Sequence, residues 1–166
     1  MSLAEEVPDL RDRSFSTLFS HALRGVPCRV LGIDVVPEAV AQTRARGVAA
    51  LQGSVFDPVP REGRWHTALL ADGNVGIGGD PLALLARLGE VLAPDGRVVV
   101  ELAAPGVRST TRWARLELAG TTSRPFRWSV VGVDGVLGLA RATGWAVTTR
   151  APFAPQRWLA VLERRP

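Results

Sequence analysis

Three apolar segments of strand length, residues 29–34, 64–71 and 97–102, are separated by stretches with helical spacing, and this alternation constrains the fold more than any other feature. The first segment ends in Asp34 and the second is followed by Asp72. After Asp34, Pro37 and Glu38 sit in the first turn of a helix that runs to Arg46 and stops at Gly47. A short strand follows at 48–52, closed by Gly53 and the polar turn before Asp57 and Pro58. After Asp72 a glycine-rich loop, 73–79, leads to Asp80 as an N-cap and Pro81 at the first helical position. Leu82, Leu84, Leu85, Leu88, Val91 and Leu92 then give a helix with a wide apolar face, ended by Pro94, Asp95 and Gly96. The consecutive Val98, Val99 and Val100 mark a strand covered on both faces. Strands joined through helices of this length make crossover units and a parallel sheet, with ligands above the strand carboxyl ends.

The flanking regions read differently. Phe15, Leu18, Phe19, Ala22 and Leu23 predict a helix over 14–24, capped by Gly25. Residues 110–118 and 126–133 alternate more and carry Trp113 and Trp128, which predicts paired strands or a long excursion. Asp134 is expected to cap a helix through Thr143, and 145–150 with 156–163 to form an antiparallel pair across a turn at 151–155. At 166 residues the chain is expected to form one domain, 1–166, with 1–27 as an atypical N-terminal segment.

Charge and composition exclude several function classes. Arginine supplies all 20 positive charges, and the absence of lysine rules out Schiff-base chemistry and a phosphate-loop lysine. Residues 1–100 carry ten arginines against twelve acids and 101–166 ten against four, so the excess of positive charge lies in the C-terminal third. A solvated face is the expectation there, and nucleic acid is disfavoured as a partner. Cys28 stands alone, so no intrachain disulfide exists. With two distant histidines there is no metal-ligand spacing, and no metal is expected. The acidic start of the chain and the lack of an apolar run near the roughly 18 residues of a membrane span point to a soluble, cytoplasmic protein with no membrane partner.

The residues that carry chemistry begin with Asp34, an acid at a strand tip placed to accept both hydroxyls of a ribose. It is followed by Gly53-Ser54-Val55-Phe56-Asp57-Pro58, by Leu69-Leu70-Ala71-Asp72-Gly73-Asn74, and by Leu92-Ala93-Pro94-Asp95-Gly96 with its valine strand. In this order and spacing, from about Arg29 to Glu163, the series resembles the class I S-adenosylmethionine-dependent methyltransferases. The resemblance implies a Rossmann-like α/β fold, a mainly parallel sheet with a C-terminal antiparallel strand, S-adenosylmethionine as cofactor and a small-molecule acceptor. It implies that Asp34 holds the cofactor ribose and that Val35 packs on adenine. Ser54 takes the place of the usual adenine-binding aspartate, Val55 offers its backbone N–H to the ring and Phe56 packs nearby. Asp72 and Asn74 lie where the family faces the methyl group and the acceptor, and Asp72 is the candidate that orients or deprotonates it.

The departure lies at the start. Counting back from Gly25 puts the family's Gly-x-Gly-x-Gly turn near Arg11-Asp12-Arg13-Ser14-Phe15, where no glycine stands, and residues 5–10 make a poor buried strand. The first strand and glycine loop are therefore read as absent or degraded. Three readings follow: a truncated chain, an inactive scaffold that binds a partner, or a homo-oligomer or partner chain that covers the missing strand. A nicotinamide-dinucleotide domain fits less well, since its glycine fingerprint is also absent. Residues 73–79 are read as a tight connection rather than a phosphate cradle. His21, His66 and Cys28 are read as structural. The aromatic residues Trp113, Phe126, Trp128, Phe153 and Trp158, interleaved with arginines, are expected to pack in the core rather than form a substrate lid.

Overall fold

The structure is a computed structural model that describes residues 29–115, 117–118 and 121–165. The readings made for residues 1–28, namely the helix at 14–24, Gly25, His21, Cys28 and the degraded first strand and loop, lie outside the described residues. The chain divides into two compact units, Met1–Asp57 and Pro58–Pro166.

In the first unit, strand β1 (Leu31–Asp34) and strand β2 (Ala49–Gln52) pair in parallel, with Asp34 opposite Gln52. Helix α1 (Pro37–Ala45) connects them, as a parallel pair requires. It begins at Pro37, whose missing N–H costs nothing in a first turn, and the chain leaves it through Gly47 at φ +81°. Arg44 donates from Nε and Nη2 to the Ala50 carbonyl at 3.1 and 2.8 Å, tying the helix to β2.

The second unit is built on a four-stranded sheet in the order β3 (Trp65–Leu70), β4 (Leu92–Ala103), β10 (Arg157–Arg164), β9 (Trp145–Ala154). Strand β4 is parallel to β3, and β10 is antiparallel to both β4 and β9. Three of the four strands thus point one way and the C-terminal strand is reversed. The excursion is a set of antiparallel strands: β5 (Thr110–Ala114) pairs with β8 (Phe126–Val130), and β6 (Glu117–Leu118) with β7 (Thr121–Thr122). The strands of the excursion form two-stranded sheets apart from the four-stranded one.

Helix α2 (Pro81–Val91) and helix α3 (Val136–Ala142) contact β4 and β9 respectively. Leu84, Leu85 and Leu88 of α2 are buried together with Val98 and Val100 of β4, Ala160 and Leu162 of β10, and Trp145 of β9. Asp80 caps α2 as expected, its Oδ1 accepting from the Ala83 N–H at 3.0 Å. The helix ends at Val91 rather than at Pro94, because Leu92 already takes extended backbone, φ −88° and ψ 150°, and opens β4. Val98 and Val100 are buried but Val99 is only half-buried, so β4 is not covered equally on both faces.

Two further expectations are corrected. Asp134 makes no helix cap; its Oδ2 accepts instead from the Gly106 N–H at 2.7 Å, and a single 3-10 turn, Val133–Gly135, precedes α3. Strand β9 continues through 151–154, residues read as turn, because the ladder to β10 persists there across a register shift. Glycine is required at Gly76, where an added Cβ would sit 1.9 Å from the Ser129 carbonyl oxygen of β8. That close approach seats the 3-10 segment Asn74–Gly79 under the β5–β8 ribbon.

Candidate functional sites at the strand carboxyl ends

Each unit gathers its candidate residues at the carboxyl ends of parallel strands. In the first, the Gly53 N–H donates to the Asp34 carbonyl at 2.9 Å, which brings the loops after β1 and β2 side by side. Asp34 is exposed, and its Oδ1 accepts from the Val36 N–H at 2.8 Å. Its other carboxylate oxygen accepts from no group among the described residues, so it is available to a ligand hydroxyl. Val35 and Phe56 present apolar surface to solvent, 66% and 40% exposed. Ser54 organises a tight turn: its Oγ accepts from the Phe56 N–H at 3.2 Å, and its N–H donates to Asp57 Oδ2 at 3.2 Å. Among the described residues the Ser54 hydroxyl donates to no group, and Val55 is half-buried in the same turn.

In the second unit the chain leaves β3 through Asp72, which takes φ +52°, a left-handed conformation that aspartate tolerates better than most side chains. The Asp72 N–H donates to Glu101 Oε2 at 2.7 Å. Glu101 lies near the end of β4, and Arg157 opens β10, one diagonal step away on the same sheet face. Arg157 donates from Nε to Glu101 Oε1 at 2.6 Å and from Nη2 to Glu101 Oε2 at 2.7 Å, a two-point pair. Nη2 also reaches Asp72 Oδ1 at 2.7 Å. Its hydrogen bonds to Glu101 raise the guanidinium pKa above its ordinary value, and the charges of both carboxylates add to this against the cost of burial. The guanidinium carbon stands 5.0 Å from the centroid of the Phe153 ring.

This cluster borders a cleft of about 160 Å³, whose lining includes Gly73, Glu101, Leu102, Trp128, Ser129 and Arg157. Trp128 meets Phe126 edge-on, with ring centroids 6.1 Å apart and planes at 84°. Asn74 is half-buried at the start of the 3-10 segment, and its backbone N–H donates to the Ala71 carbonyl at 3.0 Å.

The structure thus brings Asp34, Ser54 and Phe56 together in one unit, and sets Asp72 and Asn74 on the loop after β3 in the other. Sequence reasoning missed Glu101, which it read only as a strand residue. It took Arg157 only as one of the arginines interleaved with the aromatic residues, and the pairing of an arginine with two acids 56 and 85 positions away has no local signal. The core reading of the aromatics is overturned for Trp113 and Phe153, 66% and 48% exposed, because both stand on strands whose outer faces meet solvent. His66 is exposed, and among the described residues no group of histidine, cysteine or acid side chains is placed to hold a metal. No helix among those residues is long and apolar enough to cross a membrane.

No protein-family model matches this sequence, and no curated protein matches it. Solved structures do. The chain is similar to an S-adenosylmethionine-dependent methyltransferase from Bacteroides fragilis in complex with S-adenosyl-L-homocysteine, with a TM-score of 0.73 and 20% identity over 91% of this chain and 69% of that one. It is similar to a Burkholderia thailandensis 1,6-didemethyltoxoflavin-N1-methyltransferase, with a TM-score of 0.64 and 18% identity over 92% and 68% of the two chains. A glycopeptide N-methyltransferase complexed with S-adenosyl-L-homocysteine matches at a TM-score of 0.60 and 18% identity, over 82% of this chain and 74% of that one. The chain has the α/β fold of the class I S-adenosylmethionine-dependent methyltransferases.

Proposed function

We propose that this chain binds S-adenosylmethionine and acts as a methyltransferase on a small-molecule acceptor. The observation that carries the reading is the Asp34 carboxylate at the end of β1, with one oxygen turned by the Val36 N–H and the other open, beside the loop that Gly53 ties to it. A carboxylate so held accepts two vicinal hydroxyls, as a ribose presents them. Val35 and Phe56 would flank the adenine, and Ser54 and Val55 would supply polar contacts to it. The cofactor, when bound, supplies a methyl group on a sulfonium. The protein's own share is to position and desolvate the acceptor, and Asp72 and Asn74 are the residues proposed to face it. The similar structures that hold S-adenosylhomocysteine support the same reading.

Calorimetric titration with S-adenosylmethionine and S-adenosylhomocysteine tests it. Binding is expected, and Asp34→Ala should weaken it roughly tenfold to a hundredfold, the worth of one or two charge-assisted hydrogen bonds. A folded protein that binds neither compound refutes the proposal. Asp72→Asn should lower turnover without changing cofactor affinity, and unchanged turnover would remove Asp72 from the acceptor's partners.

A second reading, a non-catalytic scaffold, is favoured by the absence of glycine at residues 11–15. Its signature would be a stable complex with a partner chain, formed by a protein that binds neither compound.

A further inference from the structure

The C-terminal third carries most of the net positive charge, which at first sight suits an anionic ligand. The cleft in the second unit says the reverse. Its lining arginine, Arg157, is already engaged by two carboxylates, Glu101 on Nε and Nη2 and Asp72 on Nη2. One guanidinium against two carboxylates leaves the cluster with one net negative charge. Glu101 is only 14% exposed, so its charge is weakly screened by solvent and is felt inside the cleft. A ligand carboxylate entering there meets a cluster of net negative charge, whereas a ligand amine is attracted to it and a hydroxyl is indifferent to the charge.

The remaining walls describe the rest of the ligand. Trp128 offers an indole, its tilt set by the edge-on contact with Phe126, and Leu102 adds apolar surface. The volume of about 160 Å³ is close to that of a cavity, roughly 150 Å³, known to admit a benzene ring.

We propose that this cleft is the acceptor pocket, and that it takes a small aromatic ring bearing an amine or another hydrogen-bond donor, held against Trp128 with its polar group toward Glu101 and Arg157. The proposal rests on the methyltransferase reading above and names the substrate class of that site.

Three probes of one ring size and different charge test it: benzylamine, benzyl alcohol and benzoate, titrated at neutral pH by ligand-observed NMR into protein saturated with S-adenosylhomocysteine. Benzylamine is expected to bind roughly tenfold or more tightly than benzoate, with benzyl alcohol between them. Glu101→Gln and Asp72→Asn should each narrow that ratio, since each removes the net negative charge. Trp128→Leu should weaken all three probes and keep their order. Benzoate binding as tightly as benzylamine overturns the proposal, as does the failure of all three probes on protein that binds S-adenosylhomocysteine. Ordered probe binding by a protein that does not bind S-adenosylhomocysteine would sink the methyltransferase reading, and the acceptor role with it. The two failures are therefore told apart in one set of titrations.

Discussion

Replacing Gly76 by alanine adds one methyl group where the structure has no room for it. The new Cβ would lie 1.9 Å from the Ser129 carbonyl oxygen, 2.9 Å from its carbon and 3.0 Å from its nitrogen. Non-bonded carbon and oxygen sit comfortably only beyond about 3.2 Å, so the 3-10 segment and β8 must separate by more than ~1 Å. The obstacle is backbone in the middle of a paired strand, and no rotamer change relieves it. Ser129 is 2% exposed, and its hydroxyl shares a 2.6 Å hydrogen bond with Thr111 of β5, so moving it disturbs the ribbon as well. Overpacking of this kind costs about 1–3 kcal/mol, and the upper end is expected here. For a chain of this size that is a fall in Tm of roughly 6–12 °C. Gly138→Ala is the matched control: it lies inside α3 with nothing within 4 Å of an added Cβ. There the same methyl should stabilise the protein by about 0.5–1 kcal/mol through helix propensity. Thermal and urea unfolding followed by far-ultraviolet circular dichroism reads both variants. Equal stability of Gly76→Ala and wild type, or a shift of the same sign in both variants, would refute the account of how the loop after β3 is seated.

Other predictions concern the core, the surface and the acid limb of stability. Trp145, 1% exposed, donates from Nε1 to the Leu85 carbonyl at 3.0 Å and so fastens β9 to α2. Trp145→Phe should cost about 2–4 kcal/mol in urea unfolding, and a loss below 1 would show that the bond contributes little. Trp113→Ser should leave stability within about 0.5 kcal/mol of wild type, because the exposed indole has little burial to lose; a large loss would restore the core reading of that residue. Hydrogen bonds from Arg87, and next from the Val59 N–H, lower the Glu62 pKa from its ordinary 4.5. A depressed carboxylate stabilises the fold above its unfolded pKa, and that stabilisation is lost as pH falls through the folded value. Glu62→Gln should therefore flatten the fall in urea midpoint below pH 4.5, and an unchanged slope there would remove Glu62 from the acid response.

Much of the order of elements is written locally. Pro37 and Pro81 start their helices because proline suits a first turn, and Asp80 caps because its side chain reaches the Ala83 N–H. Runs such as 31–34 and 97–102 read as strands because they are short, carry β-branched residues and are bounded by turn residues, and their alternation with helices points to parallel pairs, which β1–β2 and β3–β4 are. The acids after the first and third strands mark the carboxyl ends for the same reason: the chain must turn there, and short polar side chains hold such turns.

What the sequence by itself determined was therefore the fold class, the strand end on which Asp34 stands and the loops that carry Ser54, Asp72 and Asn74. Only the tertiary structure decided which side chains meet. Glu101 and Arg157 come together because β10 runs antiparallel against β4, a pairing between segments more than fifty positions apart. Their union cancels the charge that composition assigns to Arg157. Likewise the aromatics of the excursion read as core by hydropathy, and sheet pairing placed Trp113 in solvent and Trp128 at the cleft. Local preference sets backbone conformation residue by residue, whereas burial and ion pairing depend on which distant strand occupies the neighbouring position in the sheet.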